Sequence, residues 1–128
     1  MNDRELLELA ARAAGIKARW FKVNQWRQVG GNRMQTGQDD VFGTHHRKPW
    51  NPLTDDGDAL RLAVKLAVKL RFEVQCYPGM ASVIYDDGSP DGAYLQQNPE
   101  KGQSDEQATR RAIVRAAAEI GKSMGGGE

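Results

Sequence analysis

The stretch WNPLTDDGDALRLAVKL, Trp50 to Leu66, decides the reading of this chain. It joins a turn, a helix start and an amphipathic helix in one run. Pro49 and Pro52 impose extended or turn geometry, because proline fixes its own φ and restricts the residue before it. Thr54 reads as the helix cap. Asp55, Asp56 and Asp58 load the first turn with negative charge, which complements the free N–H groups and the helix dipole there. Beyond it, Leu60, Ala63, Val64, Ala67 and Val68 read as one apolar stripe, which Leu62, Leu66 and Leu70 widen. Arg61, Lys65 and Lys69 form a basic line opposite. A stripe this wide predicts packing on a broad surface such as a sheet.

Working outward, Asp3 to Ala14 carries Leu6, Leu9, Ala10 and Ala13 at helical spacing. Asn2 or Asp3 can cap that helix, and Gly15 can close it in the left-handed conformation. Lys17 to Val23 reads as a strand. On the other side of the central block, Phe72–Tyr77 and Met80–Tyr85 read as a hairpin closed by Pro78-Gly79. Proline then glycine suits the central positions of a type II turn. Phe72, Val74 and Cys76 would then share the core face with Ala81, Val83 and Tyr85. Ala93 to Gln96 reads as a third short strand. Ser104 and Gln107 form a capping box that opens the last helix. Its buried stripe would be Ala108, Ala112, Ile113, Ala116, Ala117 and Ile120, with Gly121 as its end and residues 122–128 as a flexible tail. Gln25 to Pro49, rich in Gly, Asn, Gln and Thr, reads as a loop or a loose hairpin. The fold class is α+β in one domain: three helices on a small, mainly antiparallel sheet, ordered α-β-α-β-β-(β)-α.

Length and charge bound the function. A chain of 128 residues can bury roughly two-thirds of its unfolded surface, enough for a core without metal or disulfide. Net charge is +1, so neither a nucleic-acid field nor an acidic tail follows from composition. Cys76 has no partner cysteine, which suits a reducing cytoplasm. No apolar run approaches the ~20 residues of a membrane span, and the first ten residues lack the pattern of a signal peptide. The charge is unevenly spread. Ile16 to Trp50 holds seven basic and two acidic residues, whereas Arg71 to Gln103 holds five acidic and two basic ones.

Three blocks together carry a family likeness: MNDRELLELAARAAGI at the start, WNPLTDDGDALRLAVKL in the middle and DEQATRRAIVRAAAEIGKSM near the end. Their order and the WNPLTDDGDAL run resemble the phage ABA sandwich family, small phage and prophage proteins with helices on both faces of a sheet. The resemblance implies that fold and a phage origin. It implies no catalytic residues, since the family has none agreed. The chain departs from the family where it interposes Lys17 to Lys48, since members pass quickly from the first helix to the WNP block.

Catalytic chemistry finds no foothold in the pattern. His45-His46, Asp39, Asp40 and Cys76 lack metal-ligand spacing, so solvated loop histidines are expected and no metal or cofactor. The acids Asp55, Asp56 and Asp58 lack the closing glutamate of a calcium loop. Gly30-Gly31 is not followed by the Lys-Ser/Thr of a phosphate loop. Ser82, Ser89 and Ser104 lie in no nucleophile elbow. One segment rises above this background: KARWFKVNQWRQVGGNR, Lys17 to Arg33. It interleaves Trp20, Phe21 and Trp26 with Lys17, Arg19, Lys22, Arg27 and Arg33. Trp and Arg are enriched at protein-interface hot spots, and aromatics beside cations can also stack bases while holding phosphates. The same pattern also fits a strand whose aromatics enter the core. The candidate binding residues are therefore Lys17, Arg19, Trp20, Lys22, Trp26, Arg27 and Arg33. The expected role is non-enzymatic binding of a host protein by a phage accessory protein, in the manner of an anti-CRISPR inhibitor of defence. Nucleic-acid binding and a nucleotide or small-molecule sponge are the alternatives.

Overall fold

Trp50 ties the two parts of the molecule together. In the computed structural model, which describes residues 1–124, its N–H donates to the Phe42 carbonyl at 2.8 Å. One residue on, Asn51 organises the turn. Its side chain accepts from the Leu53 N–H, its carbonyl accepts from the N–H groups of Thr54 and Asp55, and its own N–H donates to Asp58. The helix α2 (Asp56–Ala67) starts there. Asp55, not Thr54, is its cap, with a carboxylate that accepts from the Asp58 N–H at 2.8 Å. The negative charge expected at this helix start is thus spent on named backbone donors. Asp58, nearly buried, also accepts from Arg61 at 2.8 Å.

The remaining elements are α1 (Asp3–Ala14), β1 (Arg19–Val29), β2 (Asn32–Thr44), β3 (Lys48–Pro49), β4 (Phe72–Tyr77), β5 (Met80–Tyr85), β6 (Ala93–Gln97) and α3 (Asp105–Met124). The class is α+β with three α-helices, and the order follows the expected one with two strands, β2 and β3, added after β1. The strands form two antiparallel three-stranded sheets, β1-β2-β3 and β4-β5-β6. Of the two expectations for residues 25–49, a loop or a loose hairpin, the hairpin is the one that forms. These residues complete β1 and supply all of β2 and β3, joined through Gly30-Gly31, whose φ values of 57° and 84° suit glycine alone.

The core belongs to the helices and the second sheet. α3 lies across β5 and β6, α2 lies beside β4, and α1 rests chiefly on α3. The β4–β5 register pairs Tyr77 with Met80 and Val74 with Val83, as the Pro78-Gly79 turn requires. Ala81, Val83 and Leu95 are buried beneath α3, but the same face opens to solvent at Cys76. The capping box forms: Gln107 N–H donates to Ser104 Oγ at 3.1 Å, and Ser104 N–H donates to Gln107 Oε1 at 2.7 Å.

Two further sequence expectations are corrected. In α2 the buried line is Ala59, Leu62 and Leu66, whereas Leu60, Val64 and Val68 are 64%, 53% and 76% exposed. The helix meets a narrow seam of β4 and α3, so only one side of its wide stripe is covered. Gly121 does not end α3, which continues to Met124. It is instead a point of close approach between α3 and α1. A Cβ built there would lie 2.8 Å from the Leu9 carbonyl carbon of α1. The Gly125 to Gly127 tail lies outside the described residues.

Candidate functional site

The β1–β2 hairpin is anchored at its base and bare beyond it. At the base, Trp20 stacks on Phe42 with ring centroids 4.8 Å apart, and Phe42 meets Trp50 edge-on at 6.0 Å. Arg4 of α1 sits 3.9 Å from the centre of the Trp20 ring, a cation–π contact. The Trp20 indole N–H is buried without an acceptor among the described residues. Packing, not hydrogen bonding, therefore holds this ring. Further out, every residue from Lys22 through Asp40 is exposed. At ~3.3 Å per residue, the bare part extends roughly 25 Å.

Register assigns each side chain to a face. Trp20, Lys22, Asn24, Trp26 and Gln28 share one face of β1, opposite Phe42, Asp40, Gln38, Gln35 and Arg33 of β2. Between Gln25 and Trp26 the pairing skips Thr36, a bulge that restores this alternation further along β2. Lys22 pairs with Asp40 at 3.0 Å, Asn24 accepts from Gln38 at 2.8 Å and from Gln35 at 3.1 Å, and Arg33 lies 5.1 Å over Trp26. Lys22 is the main cause that holds the Asp40 carboxyl below the ordinary carboxylate range, and Arg4 adds to it. The opposite face carries Arg19, Phe21, Val23, Arg27 and Val29 beside Val41 and Met34.

The structure therefore divides the seven candidate residues. Trp20 belongs to the anchor. Lys22 is paired. Trp26 and Arg33 lie together on one distal face, Arg27 lies on the other, and Lys17 and Arg19 stand at the base. Exposed apolar area is distributed along the hairpin at Val23, Trp26, Val29 and Met34, which are 43%, 48%, 48% and 49% exposed. Met34 and Val29 were missed in the sequence reading because each is isolated among polar neighbours. Only pairing across the Gly30-Gly31 turn brings them near Arg27.

The second feature is at the base. The chain leaves β2 through a tight 3₁₀ turn, His45–Arg47, where His46 and Arg47 hold φ of 61° and 58°. The two histidine rings lie 3.9 Å apart and Arg47 sits 5.6 Å from the centre of the Phe21 ring. Lys17, Arg19, Phe21, His45, His46 and Arg47 surround a hollow of ≈ 580 Å³. Gly43 lines it because nothing larger fits, since a Cβ there would meet the Lys48 carbonyl oxygen at 2.7 Å. Among the described residues no three His, Cys, Asp or Glu side chains gather as a metal site would require, and no helix is long and apolar enough to cross a membrane. Comparison with protein-family models, with curated proteins and with solved structures gave no match.

Proposed function

We propose that this chain is a non-enzymatic binding protein that engages a partner protein through the β1–β2 hairpin. One observation carries the reading. From Val23 to Asp39 the side-chain contacts of the hairpin among the described residues are its own cross-strand ones, yet it presents Val23, Trp26, Val29 and Met34 to solvent beside Arg27 and Arg33. A two-stranded ribbon in water is marginal by itself. Apolar and guanidinium groups along such a ribbon are the composition of an interface centre. The resemblance of the WNPLTDDGDAL block to phage proteins extends the proposal. The partner would be a host protein, and the activity that of an accessory protein which inhibits an antiviral defence.

The experiment is capture of the partner from host lysate, with and without nuclease, followed by titration of the purified pair. Trp26→Ala with Arg27→Ala probes both faces of the hairpin at once. The pair should cost more than ~2 kcal/mol of partner affinity. Wild-type affinity in the double variant would overturn the proposal. Nucleic-acid binding is the second reading, favoured by the run of basic residues from Lys17 to Arg33. Under it, captured material disappears with nuclease, and affinity falls steeply with salt, by about one counterion per phosphate contact.

A further inference from the structure

We infer that the hollow at the foot of the hairpin is a binding site for phosphate-bearing anions. It is distinct from the distal faces invoked above. Its lining includes Lys17, Arg19, His45, His46 and Arg47, and no carboxylate. None of these five residues makes an ion pair among the described residues, whereas Arg4, Lys22, Arg61, Arg71, Arg110 and Arg111 all do. Other surface cations such as Arg12 and Lys65 are also without an ion pair among the described residues; what sets the hollow apart is that Lys17, Arg19 and Arg47 line one concavity with two histidines and no carboxylate. Unmatched like charges repel, and their convergence is destabilising until an anion enters. The backbone contributes to the convergence. His46 and Arg47 occupy the left-handed region, which is strained for residues other than glycine. That turn brings both imidazoles and the Arg47 guanidinium back toward Lys17 and Arg19.

Size and chemistry select the ligand class. A hollow of ≈ 580 Å³ falls within the range of small-molecule sites, about 300–1,000 Å³. Arginine forks match phosphate oxygens in bidentate geometry, and lysine supplies a point charge. Phe21 adds an apolar wall. Phosphate esters thus fit, whether carried by a free nucleotide or by the backbone of a nucleic acid.

Titration calorimetry separates the sources with three probes at fixed salt: inorganic tripolyphosphate, a nucleoside triphosphate and a single-stranded oligonucleotide. The expected result is saturable 1:1 binding of at least one probe. Arg19→Gln with Arg47→Gly should weaken it by at least about tenfold, since a charge-assisted hydrogen bond lost is worth that much or more. Glycine at position 47 removes the guanidinium and suits the positive φ, so the fold is kept, which a thermal melt checks. The pair Lys65→Gln with Lys69→Gln, in and just after α2, exposed and far along the chain from the hairpin, should leave this binding unchanged. Binding of tripolyphosphate or nucleotide without oligonucleotide assigns free phosphates, and the reverse assigns nucleic acid. Failure of all three probes to bind overturns the inference. So does an equal loss in the Lys65 and Lys69 pair, which would mean diffuse attraction by surface cations in general.

Discussion

The helical body and the β1–β2 hairpin obey opposite rules of burial. In α3 the residues Ala112, Val114, Ala116, Ala117 and Ala118 are shielded on every side, and α1 and the second sheet close over them. In β2, by contrast, only Phe42 and Gly43 are buried, and β1 has no fully buried residue. The body is stabilised by removing apolar surface from water. The hairpin has backbone pairing, a few polar cross-strand contacts and one aromatic anchor. Side chains in the body are thus constrained by packing, whereas those of the hairpin are free to be chosen for what they touch outside the molecule.

This contrast can be broken by measurement. The largest loss is expected from Leu66→Ala in α2, which opens a cavity in a fully shielded site. It should cost ~2–5 kcal/mol, read as a fall in the urea midpoint. An unchanged midpoint would mean that α2 is not part of the core. Gly121→Ala should follow, at ~1–3 kcal/mol, because the new methyl must push α1 away from α3. Retention of wild-type stability there would show that the two helices can separate without cost. The hairpin should answer differently. Trp26→Ala with Arg27→Ala is expected to change unfolding free energy by less than about 0.5 kcal/mol per site. A much larger loss would place these residues in the structural core and remove the contrast.

The smallest effect concerns Asp40. Lys22 and Arg4 lower its folded pKa. Its favourable interaction is therefore present above the unfolded value of about 3.9 and is lost as pH falls through the lower folded value. Asp40→Asn should lower the melting temperature slightly at neutral pH. That gap should close in strong acid. A gap independent of pH would mean that the carboxylate charge contributes nothing to holding the hairpin against α1.

Much of the body was legible, for local reasons. Asn2, Ser104 with Gln107, and Pro78-Gly79 are short-range signals whose partners lie within four residues, so composition alone locates them. Two things defeated the reading elsewhere. An apolar stripe shows that a helix can be buried but not which side meets a neighbour. In α2 the covered side was Ala59, Leu62 and Leu66, and Leu60, Val64 and Val68 were left out. Periodicity also fails for a ribbon with both faces in water, because no alternation is imposed on Gln25 to Thr44. The pair Gly30-Gly31 was the one available hint of a two-residue turn. Of the candidate site, the segment Lys17 to Arg33 was visible as interleaved aromatics and cations. Its division into anchor, paired strand and exposed tip needed the register, and so did the meeting of Lys17 and Arg19 with His45, His46 and Arg47.

The packing of α1 on α3 also governs how the chain must be made. Asp3 accepts a bond from Arg111, 108 residues away, and Leu9 faces Gly121. During synthesis α1 emerges first and has no surface to cover Leu6 and Leu7. At about 5–20 residues per second, its partner follows roughly 5–20 seconds later. Throughout that interval the first helix is an exposed apolar stripe, open to chaperones and to neighbouring nascent chains. The strands of the hairpin are all made by Pro49, but a ribbon that is marginal by itself persists only on its anchor, so the proposed binding surface is fixed no sooner than the body that carries it.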